Sequence, residues 1–362
     1  MLISNKSKEI IDSCRFCWMC RHICPIGNAT GQERNTARAR ALSLSLVERG
    51  AEPLSEAADN VYECALCGAC TKECATGWDP VQSTREVRLE LAMNGETPDY
   101  INKLLDNIEK TGNVYGKTDY SDELKEAVRR HSAKTDTLLF LGKDAVYMAP
   151  ECAVGAIKLL EAAGVEFTVL ENEPDSGFAM NFLVGAAEET KAAMTACAEA
   201  LDFGTIIAYD PADAKTFIRD YKEWDIPLKG KAVTFTAFVG ELLEKGSIKL
   251  KKGDMVCTVQ DNYNLSRELE EYLPIRNVIS SCANVKEMLL YNKDTMLAGN
   301  LIMNEYMPEI IKTVAHDRVV NALNVGVGVI VTESPAEYKM LAADGGIEVR
   351  TFEEVVSECL QG

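Results

Sequence analysis

The sequence predicts an α-helical N-terminal domain built around two cysteine-rich loops, followed by two repeated α/β domains with mostly parallel sheets. Three observations carry that expectation. Eight of the 13 cysteines fall within the first 74 residues, in two sets of identical spacing. The segments flanking those sets have the caps and periodicity of helices. Further on, short apolar runs alternate with helical stretches, and one strand–turn–helix plan occurs twice. The expected boundaries are 1–97 for the helical domain, 98–135 for a helical linker, and 136–253 and 254–362 for the α/β pair.

The first cysteine set is CRFCWMCRHICP (14–25), with spacing C-x2-C-x2-C-x3-C followed by Pro25. The second, CALCGACTKEC, places Cys64, Cys67, Cys70 and Cys74 in the same spacing. Disulfides would force cysteines this crowded to pair with near neighbours under strain. Zinc uses pairs of C-x2-C knuckles, four ligands to an ion, and does not call for an x2-x2-x3 run. An iron–sulfur cubane does. Three thiolates from one tight loop bind three corners, and the fourth cysteine reaches the other cluster. Cluster I is therefore expected to take Cys14, Cys17, Cys20 and Cys74, and cluster II to take Cys64, Cys67, Cys70 and Cys24, as two [4Fe–4S] centres. Gly68 supplies backbone freedom beside the second loop. Ala75 stands where the ferredoxin run expects a second proline, a position that ligates nothing.

Thirty-nine residues lie between Cys24 and Cys64, and GQERNTARARALSLSLVERG among them reads as a helix ending at Gly50. PVQSTREVRLELAMNG reads as another, with Asp79 as cap, Pro80 at its first position and Gly95 as its stop. The clusters are thus expected among helices. Arg34, Arg38 and Arg40 would steady anionic clusters, meet a partner, or form a solvated face, and the last is favoured. His22 and Trp18, inside the first loop, suit packing or hydrogen bonding, because four thiolates are already present.

Residues 98–134 read as short helices and turns. Then TLLFL (137–141) reads as a buried strand, followed by the helix AVGAIKLLEAAG and the strands VEFTVL, GTIIAY, DMVCTV and GVGVIVT. IIAYDPADAKTF (206–217) and VIVTESPAEYKML (329–341) share one plan, an apolar strand, x-P-A-[DE]-x-K, then a helix. Their prolines, Pro211 and Pro335, lie 124 residues apart. The glycines of VGVGVIV precede their strand and lack a third member, so no dinucleotide fingerprint is read there.

A net charge of −18, from 56 acidic and 38 basic residues, argues against general nucleic-acid binding. It suits a basic partner surface, or mere solubility. No apolar run approaches the ~18 residues of a membrane span, and MLISNKSKEIIDSC holds no signal-peptide core. A soluble cytoplasmic protein is expected. The five scattered cysteines (Cys152, Cys197, Cys257, Cys282 and Cys359) are expected to act as small buried hydrophobes.

Both cysteine runs, NVYG (113–116), LLFLG (138–142) and IKLLEAAGVEF (157–167) resemble a family of iron–sulfur proteins. It comprises D-subunit-like proteins of heterodisulfide reductase and C-subunit-like proteins of glycerol-3-phosphate dehydrogenase. Glycolate oxidase iron–sulfur subunits and lactate-utilisation proteins belong to the same group. The resemblance implies a helical two-cluster domain joined to two "CCG" domains, whose cysteines hold further iron–sulfur centres in relatives. Here those positions are not cysteine. Lys143 follows LLFLG, the triplet reads Asp175, Ser176, Gly177, and the Cys-Pro-x-Cys reads Asp210, Pro211, Ala212, Asp213. The second half has Gln260, Asp261, Asn262 and Tyr263, a decayed triplet near Leu297 to Gly299, and the final pair Ser334 and Glu337. No CC pair or C-x-x-C follows Cys74, so no non-cubane cluster is expected and disulfide reduction is disfavoured. Asp175, Asp210, Asp213 and Glu337 are read either as a hard-metal site or, preferably, as polar residues filling vacated positions.

The expected function is that of an iron–sulfur electron-transfer subunit of an oxidoreductase complex. It would relay single electrons through two [4Fe–4S] clusters between a flavoprotein partner and another carrier. The resemblance implies a flavin-linked 2-hydroxy-acid or sugar-acid dehydrogenase, or an electron-transferring flavoprotein, as that partner in a hetero-oligomer. No catalytic residue and no flavin are expected on this chain. Three histidines (His22, His131, His316) leave little for acid–base work, and neither a phosphate loop nor a flavin fingerprint is found. The alternatives are a catalytic reductase with its own pocket in the α/β domains, and a scaffold whose clusters are structural.

Overall fold

The computed structural model describes residues 8, 9, 11, 13, 14 and 17–361. The chain divides into two compact units. The first holds the residues up to Gly116 together with Ala179–Ala192 and Ile302–Val314; the second holds Lys117–Phe178, Ala193–Leu301 and Ala315–Gly362.

The first unit is helical, and its caps explain where its helices start and stop. Helix Ala37–Glu48 opens on Thr36, whose hydroxyl accepts the Ala39 N–H, and the chain turns away at Gly50 with φ 72°. Helix Pro80–Asn94 opens on Asp79, which accepts from the Val81 and Gln82 amides, and closes on left-handed Gly95. The second matches the sequence expectation at both ends; the first stops by Gly50 as expected but starts at Ala37, because Glu33–Asn35 form a separate 3-10 turn ahead of the Thr36 cap.

Arg88, on the second of these helices, is fully buried. It donates to the carbonyls of Val61 at 2.8 Å, Cys64 at 2.6 Å and Phe182 at 2.6 Å. Its guanidinium lies 4.9 Å from the ring centres of both Tyr62 and Phe182. One cation thus ties three chain segments together. Arg88→Met is expected to destabilise this unit by about 3 kcal/mol or more in denaturant unfolding, since it strands three buried carbonyls. An unchanged midpoint would count against that role.

The second unit contains two parallel sheets. Strands β1 (Thr137–Phe140), β2 (Thr205–Ala208) and β3 (Lys231–Thr234) form the first, in the order β1-β2-β3. Strands β4 (Val256–Gln260), β5 (Asn284–Val285), β6 (Val329–Thr332) and β7 (Glu348–Thr351) form the second, in the order β5-β4-β6-β7. Every pairing is parallel. β1, β2, β4 and β6 read as continuous apolar runs because helices cover both faces of such sheets.

The repeat is visible element by element. Each half has a helix opening on proline after its second major strand, at Pro211 and Pro335. Each then has a short edge strand ending at a threonine cap followed by phenylalanine, Thr234–Phe235 and Thr351–Phe352. Phe235 and Phe352 meet edge to face at 6.1 Å within one continuous core that includes Leu139, Ile207, Val259 and Val331.

VEFTVL is not a strand. Only Thr168 pairs with β1, its carbonyl accepting the Leu139 N–H at 2.9 Å and its own N–H reaching the Thr137 carbonyl at 2.8 Å. At a sheet edge, apolar alternation gives burial without a partner on the far side, so one bridge is all that forms. β3 (KAVT) and β7 (EVRT) escape an apolar-run search for the related reason that edge strands are only half covered.

Candidate metal centre

Both cysteine loops bend through left-handed backbone. Trp18 (φ 70°), Leu66 (φ 51°) and Gly68 (φ 72°) make those bends, and Gly68 opens the short helix Ala69–Glu73. Such turns point successive N–H groups inward. The Leu66 N–H donates to Cys64 Sγ and the Gly27 N–H to Cys24 Sγ, each at 3.4 Å. Cys74 Sγ lies 3.2 Å from the Thr76 hydroxyl.

The sulfurs gather in two neighbourhoods. Burial pushes the Cys24 thiol up to about 12, with further upward pushes from Cys67 and Cys64. Burial likewise holds Cys70 well above the ordinary thiol value, and Cys64, Cys67 and Cys24 add to the effect. Cys24 therefore belongs, in space, with the three leading cysteines of the other set. Cys20 is raised by burial and, less strongly, by Cys14 and Cys17. Cys14, Cys20, Cys70 and Cys74 pack around Ala37, Ala41 and Trp78. Cys17 is exposed, whereas Cys67 is buried.

Arg40 corrects the expectation of a solvated arginine face. It is 3% exposed, with Nε on the Asn60 carbonyl at 3.2 Å and a terminal nitrogen on the Asn35 carbonyl at 3.0 Å. Its charge is favoured first by Cys64, then by Cys24 and Cys70. A buried guanidinium beside three thiols is costly unless something anionic sits there. That fits a thiolate-bound iron–sulfur cluster, which would add to the compensation Glu63 supplies.

Arg34 is exposed and pairs with Glu63, while Arg38 pairs with Glu33 and lies 3.8 Å over the Trp18 ring. The Arg40 signal was in the sequence: Ala37, Arg40, Ala41 and Leu44 recur at i, i+3, i+4 and i+7, and all four are buried. His22 is exposed, and it is its carbonyl that accepts, from Asn28 at 2.9 Å.

The acidic residues of the α/β halves do not act as one set. Asp210 caps the helix that starts at Pro211 by accepting the Ala212 N–H at 2.8 Å, and Asp175 accepts the Gly177 N–H at 2.9 Å. Asp213 accepts from the Ser176 hydroxyl. Burial raises Asp210 and Asp213 well above the carboxylate range, with neighbouring acids Asp144 and Glu173 adding to it, so both favour the neutral form. Glu173, which the sequence did not single out, accepts from the Leu141 and Gly142 amides and is raised by burial to about 7.

Glu337 sits elsewhere, among Gln260, Asn262 and the Ala298 N–H, and burial raises it to about 8. Among the described residues no group of three or more His, Cys, Asp or Glu side chains is arranged to hold a single metal ion. A cubane makes a different demand, because its four thiolates bind four separate irons.

The scattered cysteines are core residues. Cys152, Cys197, Cys257 and Cys282 are no more than 1% exposed, and Cys359 is half-buried against Cys282. At the carboxyl ends of β2, β3, β6 and β7, a cavity of about 10 Å³ is lined by Tyr209, Thr234, Glu333 and Glu353, room for one water.

Comparison with known proteins agrees with the cysteine pattern. Residues 10–78 match the 4Fe-4S dicluster domain family. The chain is 25% identical over 90% of its length to the D-subunit of dihydromethanophenazine:CoB–CoM heterodisulfide reductase from Methanosarcina acetivorans, covering 87% of that protein. It is 24% identical over 78% of its length to an uncharacterized iron–sulfur protein of Methanococcus maripaludis, covering 57% of it. A probable membrane-anchored ferredoxin of Chromohalobacter salexigens is 26% identical over 61% of this chain and 35% of its own length. The chain is similar to the D-subunit-like iron–sulfur proteins of heterodisulfide reductase, and its N-terminal region is a ferredoxin-type [4Fe–4S] domain with an electron-transfer role. No helix among the described residues is long and apolar enough to cross a membrane.

Proposed function

We propose that this chain is the electron-transfer subunit of an oxidoreductase complex, relaying single electrons between a flavoprotein and a second carrier. Two [4Fe–4S] clusters serve the relay. Cys14, Cys17, Cys20 and Cys74 hold the first, and Cys64, Cys67, Cys70 and Cys24 hold the second. When bound, they accept and release one electron at a time. The chain's own residues fix the cluster spacing, bury the second cluster and aim N–H groups at its sulfurs. The observation that carries this reading is the company Cys24 keeps: though part of the first loop, it interacts with Cys64 and Cys67, and Cys70 in turn with it.

The α/β halves, near 136–253 and 254–362, are degenerate CCG-like repeats that serve as a docking platform. Their ligand positions are filled by hydrogen-bonded acids and amides such as Asp210, Asp213, Gln260 and Glu337, which supports a reading without a non-cubane cluster; the flavin of the relay belongs to the partner. The partner class is a flavin-linked 2-hydroxy-acid or sugar-acid dehydrogenase, or an electron-transferring flavoprotein, in a hetero-oligomer.

Anaerobic purification is expected to yield about eight irons per chain, four per cubane, with a visible absorption that bleaches on reduction. A flavoprotein should co-purify from the native host. Twelve or more irons would sink the reading of the α/β halves as metal-free. Reduction of a substrate by the isolated chain would sink the role as a relay.

A further inference from the structure

We propose that Arg40 sets the reduction potential of the buried cluster and holds it above that of its exposed neighbour. The proposal rests on the ligand assignment just given and deepens it by ranking the two centres. Arg40 is 3% exposed and pinned by the carbonyls of Asn35 and Asn60, and the same Asn35 carbonyl accepts from Cys24 Sγ at 3.4 Å. Its charge is favoured by Cys64, Cys24 and Cys70. Arg88, fully buried, adds a second cation to the same loop through the Cys64 carbonyl at 2.6 Å. Each added electron makes a thiolate-bound cluster more negative. A fixed cation beside it stabilises the reduced form, and burial keeps water and salt from screening that attraction.

The surroundings of the other cysteine set differ. Cys17 is exposed where Cys67 of the second set is buried, while Cys14, Cys20 and Cys74 are half-buried like Cys24, Cys64 and Cys70. The arginines near that loop, Arg21 and Arg38, lie over the ring of Trp18, itself 45% exposed, and Arg38 is also paired with Glu33. Solvent and counter-charge weaken those cations. The opposing charge near Arg40 is Glu63, which Arg34 and Asn35 hold in place.

The test is an EPR-monitored redox titration of the full chain, purified anaerobically with its clusters. Two reduction waves are expected. Arg40→Gln, which keeps donors for the Asn35 and Asn60 carbonyls, should lower the upper wave by at least tenfold in its reduction equilibrium, about 59 mV for one electron. The lower wave should stay. Arg40→Lys should retain most of the wild-type value, and Arg49→Gln, at an exposed arginine just past the same helix, should move neither wave. If Arg40→Gln loses iron, Glu63→Gln decides, since removing that negative charge should raise the same upper wave. Full iron with unmoved waves in Arg40→Gln, a shift confined to the lower wave, or no rise in Glu63→Gln overturns the proposal. An iron content below about eight in the wild type, or a single cubane signal, would instead overturn the ligand assignment.

Discussion

Cys24→Ala is expected to abolish the EPR signal of the second cluster, leave the first intact, and remove up to about four of eight irons. By sequence, Cys24 closes the first loop, so an uncrossed arrangement would predict loss of the first cluster instead. The fold argues otherwise. Cys24 caps helix Pro25–Thr30, taking the Gly27 N–H onto its sulfur, which also donates to the Asn35 carbonyl at 3.4 Å. The sulfur then lies among Cys64, Cys67 and Cys70, where desolvation is severe enough to push the thiol up to about 12. A free thiol there is neutral and inert. Cys74, by contrast, packs with Cys14 and Cys20, and with Cys70, around Ala37, Ala41 and Trp78; burial acts to raise it, but hydrogen bonds from Thr76, Trp78 and Gly77 outweigh that and lower it. The decisive comparison is spectral. Cys24→Ala and Cys64→Ala should leave the same surviving signal, and Cys74→Ala and Cys14→Ala should leave the other one. A Cys24→Ala spectrum that matches Cys14→Ala sinks the crossed arrangement.

Much of this molecule was legible from spacing because its constraints are local. Two x2-x2-x3 cysteine runs, the Asp79–Pro80 helix start and the Gly95 stop are properties of a few adjacent residues, and the structure has both helix ends where the sequence puts them. Strands β2, β4 and β6 were legible because central parallel strands must be apolar on both faces, and β1, with only the Thr168 bridge beyond it, because Leu138, Leu139 and Phe140 are all buried. The failures share a cause. VEFTVL, β3 and β7 lie at sheet edges, where pairing depends on what stands alongside and burial is partial. The site residues split in the same way. Cysteines in a ligand spacing announce themselves by type. Arg40 and Glu173 are ordinary surface residue types whose burial comes from contacts with distant segments, and only the periodicity around Arg40 hinted at it.

The α/β unit should lose stability as pH rises from about 4.5 to about 8, and Glu353→Gln should remove part of that loss. Glu353 is wholly buried. Its Oε1 accepts the Tyr209 hydroxyl at 2.7 Å, its Oε2 is buried without a hydrogen-bond partner, and the residue lines the small cavity with Glu333. Desolvation raises its pKa from the usual 4.5 to about 7, more than the bonds from Tyr209 and Thr351 lower it. Between those values the folded chain holds a proton that the unfolded chain has released, so stability falls with rising pH and levels off above the folded value. At about 1.4 kcal/mol per pH unit, this one group accounts for on the order of 3 kcal/mol. Glu173, raised to about 7, and Glu337, raised to about 8, act in the same direction. Glutamine mimics the protonated acid: it keeps an acceptor for Tyr209 and carries no charge to desolvate. The variant should therefore match the wild type near pH 4.5 and exceed it at pH 8. A gain of 2–3 kcal/mol corresponds to roughly 2–4 °C in melting temperature for each kcal/mol in a unit of this size. Equal melting temperatures at pH 8 would overturn the expectation that burial of Glu353 costs stability at that pH.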